Sequence, residues 1–303
     1  MSFADSIADT IEWLKHENKN SNRKESVMKK VCVITGGGSG MGFATAKVIG
    51  SQGYYMILAG RTAKKLENAV AELQASGIEA EAFSCDISDR RSTQSLAETA
   101  LARGEVKIVI HAAGMSPHMG DAQKIMEANA LGTINVNDAF YEVMHDGGCV
   151  IDTSSMSAYL TPKFIMPRRS YKLSRIDRGK FMRKMMRRVN LFPGKVRAGV
   201  AYGISKNFVI WFAKTDAARF GQKGVRVLSI TPGNFETPMG ELEKDEAMTY
   251  MKYNAIKRLG HPEEIAQLYA AAADERIGYL TGTDILCDGG CVASGCNPLR
   301  RSQ

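Results

Sequence analysis

The feature that most constrains this chain is an alternation that begins at residue 29. Short apolar runs rich in β-branched residues span 31–35, 54–59, 80–85, 107–111, 149–153, 225–230 and 285–288. Between them, 43–51, 63–76, 91–103, a region around 129–144 and one around 202–220 read as helices. Strands that alternate with helices build a parallel sheet covered on both faces, because each helix carries the chain back to start the next strand in the same direction. Such crossovers are right-handed. The pattern predicts an α/β protein with one doubly wound parallel sheet, and no internal repeat interrupts it.

Size and composition agree with a folded globular chain. The 303 residues could hold one large domain or two small ones, and 44% hydrophobic with 24% charged residues is ordinary. No apolar run of about 18 residues occurs, so no membrane span is expected. Cys32, Cys85, Cys149 and Cys287 fall in apolar runs, where cysteine acts as a small hydrophobe. There is no CxxC pair, and no His lies near Cys287, Cys291 and Cys296, so no metal is expected. The N-terminus lacks a basic and then apolar leader, and the cytoplasm is the expected compartment. Residues 1–28 stand apart as a helical arm and linker, with Phe3, Ile7, Ile11 and Leu14 at helical spacing. A surface helix or tail is the plainer reading of them, an oligomerisation arm the sharper one.

Residues 35–42 read Thr-Gly-Gly-Gly-Ser-Gly-Met-Gly between a strand and a helix. Glycines there let backbone approach a pyrophosphate, and the helix N-terminus offers free N–H groups. The spacing does not fit GxGxxG, because Phe43 takes the third glycine's place, but it fits TGxxxGxG through Thr35, Gly36, Gly40 and Gly42. The second run ends Leu58-Ala59-Gly60-Arg61, with no acid to hold a ribose 2′-hydroxyl. Arg61, with Lys64 and Lys65 nearby, suits the 2′-phosphate of NADP, with NAD the alternative.

Tyr202 and Lys206 lie four apart in a helical stretch and so share one face. An ammonium beside a phenol favours the phenolate and lowers a pKa of about 10 toward the useful range. Ser154 and Ser155 follow the fifth run, and Asn129 precedes Gly132 in the helical region before it.

Taken together these motifs resemble the classical short-chain dehydrogenase/reductase family over about residues 29–291, which implies a Rossmann-like catalytic domain over 29–303. The resemblance implies a catalytic set of Asn129, Ser155, Tyr202 and Lys206, with Ser154 the less favoured hydroxyl. Ser155 would hold the substrate oxygen, Tyr202 would exchange its proton, and Asn129 would place a water linking Lys206 to solvent. It also implies cofactor contacts from Gly36, Ser39, Gly40, Met41 and Gly42, from Arg61, and from Asp86 and Ile87. Ala112, Ala113 and Gly114 of an altered NNAG element, in which His111 reads as structural, would add to these. So would Tyr202, Lys206, and Pro232, Gly233, Phe235 and Thr237 of a PGxxxT element. The expected function is hydride transfer between NADP and a ketone or secondary alcohol, in a homo-oligomer.

The gap between Ser155 and Tyr202 is long, and the Gly114 to Asn129 connection is short. This resembles the bacterial 3α-hydroxysteroid dehydrogenase/carbonyl reductase subgroup, in which an insertion obstructs the usual helix-mediated dimer face. Residues 160–199 carry thirteen Lys/Arg and one acid, Asp177, whereas the rest of the chain has 27 basic and 31 acidic residues. The formal charge of +8 therefore belongs to this insertion. Phe181, Met182, Met185, Met186 and Val189 form an apolar stripe in it, with Arg183, Lys184, Arg187 and Arg188 around them. One expectation is a lid packed over the active site, taking an apolar substrate with an anionic tail such as a steroid or bile acid. The alternative is a non-catalytic NADP-binding protein whose basic segment meets an anionic partner, nucleic acid or a membrane surface.

Overall fold

The computed structural model describes residues 28–296, and the expected N-terminal arm lies outside these except for an exposed Met28. The chain runs β1 (Lys30–Thr35), α1 (Gly40–Gly50), β2 (Tyr55–Gly60), α2 (Ala63–Ala75), β3 (Ala80–Ser84), α3 (Arg90–Arg103) and β4 (Glu105–His111). It continues through α4 (Ala122–Met126), a π-helical segment Glu127–Leu131, α5 (Gly132–Val143) and β5 (Cys149–Thr153). Then come α6 (Ser157–Leu160), α7 (Arg168–Tyr171), α8 (Arg178–Val189), α9 (Arg197–Gly221), β6 (Arg226–Pro232), α10 (Pro238–Leu242), α11 (Lys244–Met251), α12 (Pro262–Ala273) and β7 (Asp284–Cys287). All strands are parallel, in the order β3-β2-β1-β4-β5-β6-β7. The order reverses between β1 and β4, which opens a crevice at the carboxyl ends of the strands.

The strands read as continuous apolar runs because both faces are covered. Cys32, Ile34, Met56, Leu58, Ile110 and Ile151 pack toward α1, α2 and α12, while Val31, Val33, Ile57, Val109 and Val150 pack toward α3, α5 and α9. At the carboxyl ends the apolar pattern stops. The pairing register places Thr35, His111, Asp152, Ser229 and Asp284 side by side across five strands. This polar row reaches the carboxyl ends of β1 and β4, where the crevice opens, and crosses the middle of β6 and the start of β7.

The helical region expected around 129–144 is present and widens at its start: α4 ends at Met126, the backbone passes into the π segment holding Asn129, and α5 begins at Gly132. The helix carrying Tyr202 starts earlier than expected, at Arg197.

The insertion is not a lid. Phe181, Met182, Met185 and Val189 of α8 join Ile125, Met126, Ile134, Ile204, Phe208 and Phe212 in one buried cluster, which sets α8 against α4, α5 and α9. The Phe181 ring sits 4.8 Å from that of Phe208. Burying such side chains contributes roughly 1.5–3 kcal/mol each. Ion pairs fasten the segment at its other end. Arg175 binds Asp138 at 2.8 Å and also the buried Asp216, and Arg178 and Arg219 converge on the same carboxylates. The apolar stripe, expected over the active site, is instead a face buried against α4, α5 and α9, because period alone does not say what covers it.

Candidate active site

A cleft of about 680 Å³ opens at the carboxyl ends of the strands, where the strand order reverses. Its floor at one end is the glycine turn. Gly36 has φ of +72°, and a Cβ there would stand 2.8 Å from the Ala113 nitrogen. A Cβ on Gly42 would stand 2.5 Å from the Gly36 oxygen, so α1 can lie this close to β1 only without one. Ser39 is the extended residue that starts α1, whose first N–H groups face the cleft. The cradle a dinucleotide phosphate needs is thus built from backbone, and these residues fit the group.

Each of the predicted cofactor residues lines this cleft: Gly36, Ser39, Gly40, Met41, Gly42, Arg61, Asp86, Ile87, Ala112, Ala113, Gly114, Pro232, Gly233, Phe235 and Thr237. Lys65 lines it as well. Burial pushes the Asp86 carboxyl up, but hydrogen bonds from the Ser88 hydroxyl and amide, and the nearby Arg61, leave it below its ordinary value. Arg61 and Asp86 therefore face each other at the end of the cleft where β2 and β3 stop. Thr237 caps α10 by accepting from the Gly240 amide at 2.9 Å.

Ser155, Tyr202 and Lys206 meet in the same cleft. β5 delivers the serines in succession, so they diverge. Ser154 is buried and donates to the Lys206 carbonyl at 2.9 Å, while the Ser155 hydroxyl hydrogen-bonds Tyr202. Lys206 Nζ donates to the Thr153 carbonyl at 2.9 Å and stands 5.9 Å from the centre of the Tyr202 ring. Burial, and then the Glu243 carboxylate, push the Tyr202 phenol well above its ordinary value, with the Ser155 bond opposing them. The depression expected from Lys206 is thus outweighed by burial. Burial also pulls the Lys206 ammonium down, to about 8, with Asp152 and Glu243 opposing the fall.

Asn129 does not line the cleft. Its Oδ1 accepts from the Met115 amide at 2.8 Å, and its Nδ2 donates to the Met115 carbonyl and the Ser205 hydroxyl. These bonds make its side chain a brace. Asn129 fixes the segment after Gly114 from behind and is a positioning residue. His111 is buried in the polar row, with Nδ1 2.8 Å from Thr35 Oγ1, and burial first and Lys206 second push it down to about 3.

Sequence reasoning missed the other end of the cleft. Met115, Met119, Met156, Met239 and Tyr250 line it, together with Glu243. They come from four separate segments, so no local spacing marked them. Asp152 was missed too. It is fully buried, accepts from Asn137 at 2.9 Å, and burial pushes its carboxyl up. None of residues 160–199 lines the cleft.

Comparison with known proteins follows this geometry. The model of the short chain dehydrogenase family matches residues 30–169, and one described as enoyl-(acyl carrier protein) reductase matches 193–292. Residues 170–192 fall between the two. An uncharacterised oxidoreductase of Bacillus subtilis, YxbG, is 27% identical over 87% of this chain and 91% of its own. A cyclohexanol dehydrogenase of Acinetobacter is 24% identical over 86% and 94%. A short-chain dehydrogenase of Burkholderia cenocepacia, solved in complex with NADP, superposes with a TM-score of 0.70 at 22% identity, covering 87% of this chain and 98% of that one.

Proposed function

Because the chain belongs to the short-chain dehydrogenase/reductase family of oxidoreductases, we propose that it is an NADP-preferring reductase of an apolar ketone, or dehydrogenase of the corresponding secondary alcohol. One observation carries the reading: Ser155, Tyr202 and Lys206 converge in the cleft whose far end is the glycine cradle. A bound nicotinamide dinucleotide supplies the hydride that no side chain of the cleft can supply. Backbone from Gly36 to Gly42 would hold its phosphates, and Arg61 with Lys65 a 2′-phosphate.

The protein's own residues manage the substrate oxygen. The Ser155 hydroxyl donates to it and stabilises the negative charge that develops there. Tyr202, which as a phenol carries its proton at neutral pH, then gives it to that oxygen. Lys206 holds positive charge beneath, anchored on the Thr153 carbonyl. Asn129 and the Met115 backbone keep that wall of the cleft in place.

The lining also bears on the substrate. Four methionines and Tyr250 suit an irregular apolar body. The cations of the insertion lie outside the cleft, whose lining sets Lys124 against the two carboxylates Glu127 and Glu243, a balance that favours a neutral body over an anionic tail. A neutral steroid-like or other bulky apolar ketone is the substrate class we propose. A homo-oligomer and the cytoplasm belong to the same proposal. The half-buried edge strand β7, unpaired on its outer side, supports the first. Buried free thiols at Cys32, Cys85 and Cys149 support the second.

The test is cofactor consumption over a panel of apolar, cationic and anionic ketones with NADPH and NADH. NADPH oxidation with neutral apolar ketones is expected, at least about tenfold better than with NADH and narrowed in Arg61→Ala. A preference for NADH, or no turnover with any ketone, would overturn it.

A further inference from the structure

With its inner face buried, the insertion presents a distinctive outer one. Arg168, Arg169, Lys180, Arg183, Lys184 and Arg187 are exposed, and none has an acidic partner among the described residues. Its one acid, Asp177, caps the start of α8 by accepting from the Lys180 amide. Large apolar side chains stand among these cations at the other end of the helix. Phe164 is 72% exposed and Leu191 68%. Arg188 brings them together: its guanidinium donates to the Phe164 and Ile165 carbonyls, and Leu191 lies one turn beyond it. Arg197 ties the exposed Val196 to the same corner through the carbonyls of Asn190 and Phe192.

These features point to one kind of surface. Opposite net charge on insertion and remainder gives the molecule a strong electrical asymmetry, which would turn the insertion toward any extended anionic surface. Phosphates of a nucleic acid would use the cations and a base could stack on Phe164, but Leu191 and Val196 would stay in water, because aliphatic side chains do not stack on bases. An anionic bilayer uses both, because cations meet headgroups while apolar tips enter the interface.

We propose that residues 160–199 dock this protein on an anionic lipid surface, with Phe164 and Leu191 entering the interface and Arg168, Arg169, Lys184 and Arg187 facing the headgroups. The cleft is lined by none of these residues, so docking through them does not occupy it.

The full-length protein is mixed with vesicles of phosphatidylcholine, alone or with about one third phosphatidylserine, and floated on a density gradient at about 0.05 M and 0.5 M salt. Flotation with the mixed vesicles at low salt is expected, at least about tenfold weaker at high salt and absent on phosphatidylcholine alone. Two double variants separate the contributions. Lys184→Glu with Arg187→Glu should weaken binding about tenfold or more, and Phe164→Ser with Leu191→Ser about threefold or more. Neither pair touches the cleft, so unchanged thermal unfolding shows that each variant is folded. The proposal fails if the wild type stays unbound on the mixed vesicles at low salt. It also fails if the serine variant binds as tightly as the wild type, or if a DNA duplex binds more tightly than the vesicles.

Discussion

Tyr202 is the residue on which the proposed proton exchange rests: burial and the Glu243 carboxylate hold its proton more tightly than in an ordinary phenol, and the Ser155 bond opposes them. Tyr202→Phe is expected to lower turnover by a factor of about 10² to 10⁴, with cofactor affinity measured by fluorescence titration nearly unchanged. Lys206 sets the upper pH limit. Its ammonium is present below about 8 and lost above it, so kcat/KM for reduction should fall as pH rises through that value. A flat profile from pH 7 to about 9.5 would show that this charge has no part in the reaction. His111 makes the opposite kind of statement, about stability. Folded, it is neutral down to about 3, whereas unfolded it takes a proton near its ordinary value of about 6.5. Stability that is whole above that value is therefore lost as pH falls below it, at ~1.4 kcal/mol per pH unit. His111→Asn should reduce the drop in Tm between pH 7 and 5, and an identical drop would mean that the imidazole is not buried neutral. Residues of this kind were legible where chemistry follows local spacing: the glycine turn, and Tyr202 with Lys206 on one helical face. Glu243 and the methionines were not, because nothing local ties a residue after β6 to one after β4.

At the scale of elements, the strands were readable from composition because burial on both faces leaves few polar choices. The π segment was not, since its cause is tertiary: Asn129 reaches out of the helix to brace Met115 and Ser205. Its sign in the sequence was only an Asn shortly before Gly132, which equally marks a turn. The insertion shows the limit of periodicity in another form. The stripe on α8 told which residues are buried, but the partner, the outer wall of α4, α5 and α9, is fixed by how the chain returns from α6 and by Arg175 and Arg178 reaching Asp138 and Asp216. A lid and a buttress then make different demands on the same side chain. Phe181→Ala should cost ~3–5 kcal/mol in denaturant unfolding, the usual penalty for emptying an aromatic site in a packed core. The KM for a ketone should stay within about twofold, because α8 does not reach the cleft. A large rise in KM with little loss of stability would restore the lid. Arg175→Ala should destabilise as well, since it leaves the buried Asp216 with Arg219 as its remaining guanidinium partner.

For the whole molecule, the insertion takes the place that another helix pair could occupy. The face it covers includes Ile125, Met126, Ile134, Ile204, Phe208 and Phe212, a contiguous apolar surface of the kind that a folded chain does not leave in water. Replacing residues 170–192 by a short Gly/Ser linker would remove Phe181, Met182, Met185 and Val189 from that surface while leaving the sheet, the cleft and the polar row in place. Two changes should follow together. The shortened chain sheds most of its excess positive charge, and it gains a face that can only be satisfied by another protein surface. Its own copy is the surface always present at equal concentration, so sedimentation velocity should show a larger assembly than the full-length chain at the same concentration, with helical circular dichroism retained. A native-like spectrum with no change in association would mean that α4 and α9 tolerate solvent, and that the insertion is an appendage to the fold. Growth of the assembly would instead make the segment an internal substitute for a subunit interface, with its inner face closing the molecule on itself and its outer face carrying the cations.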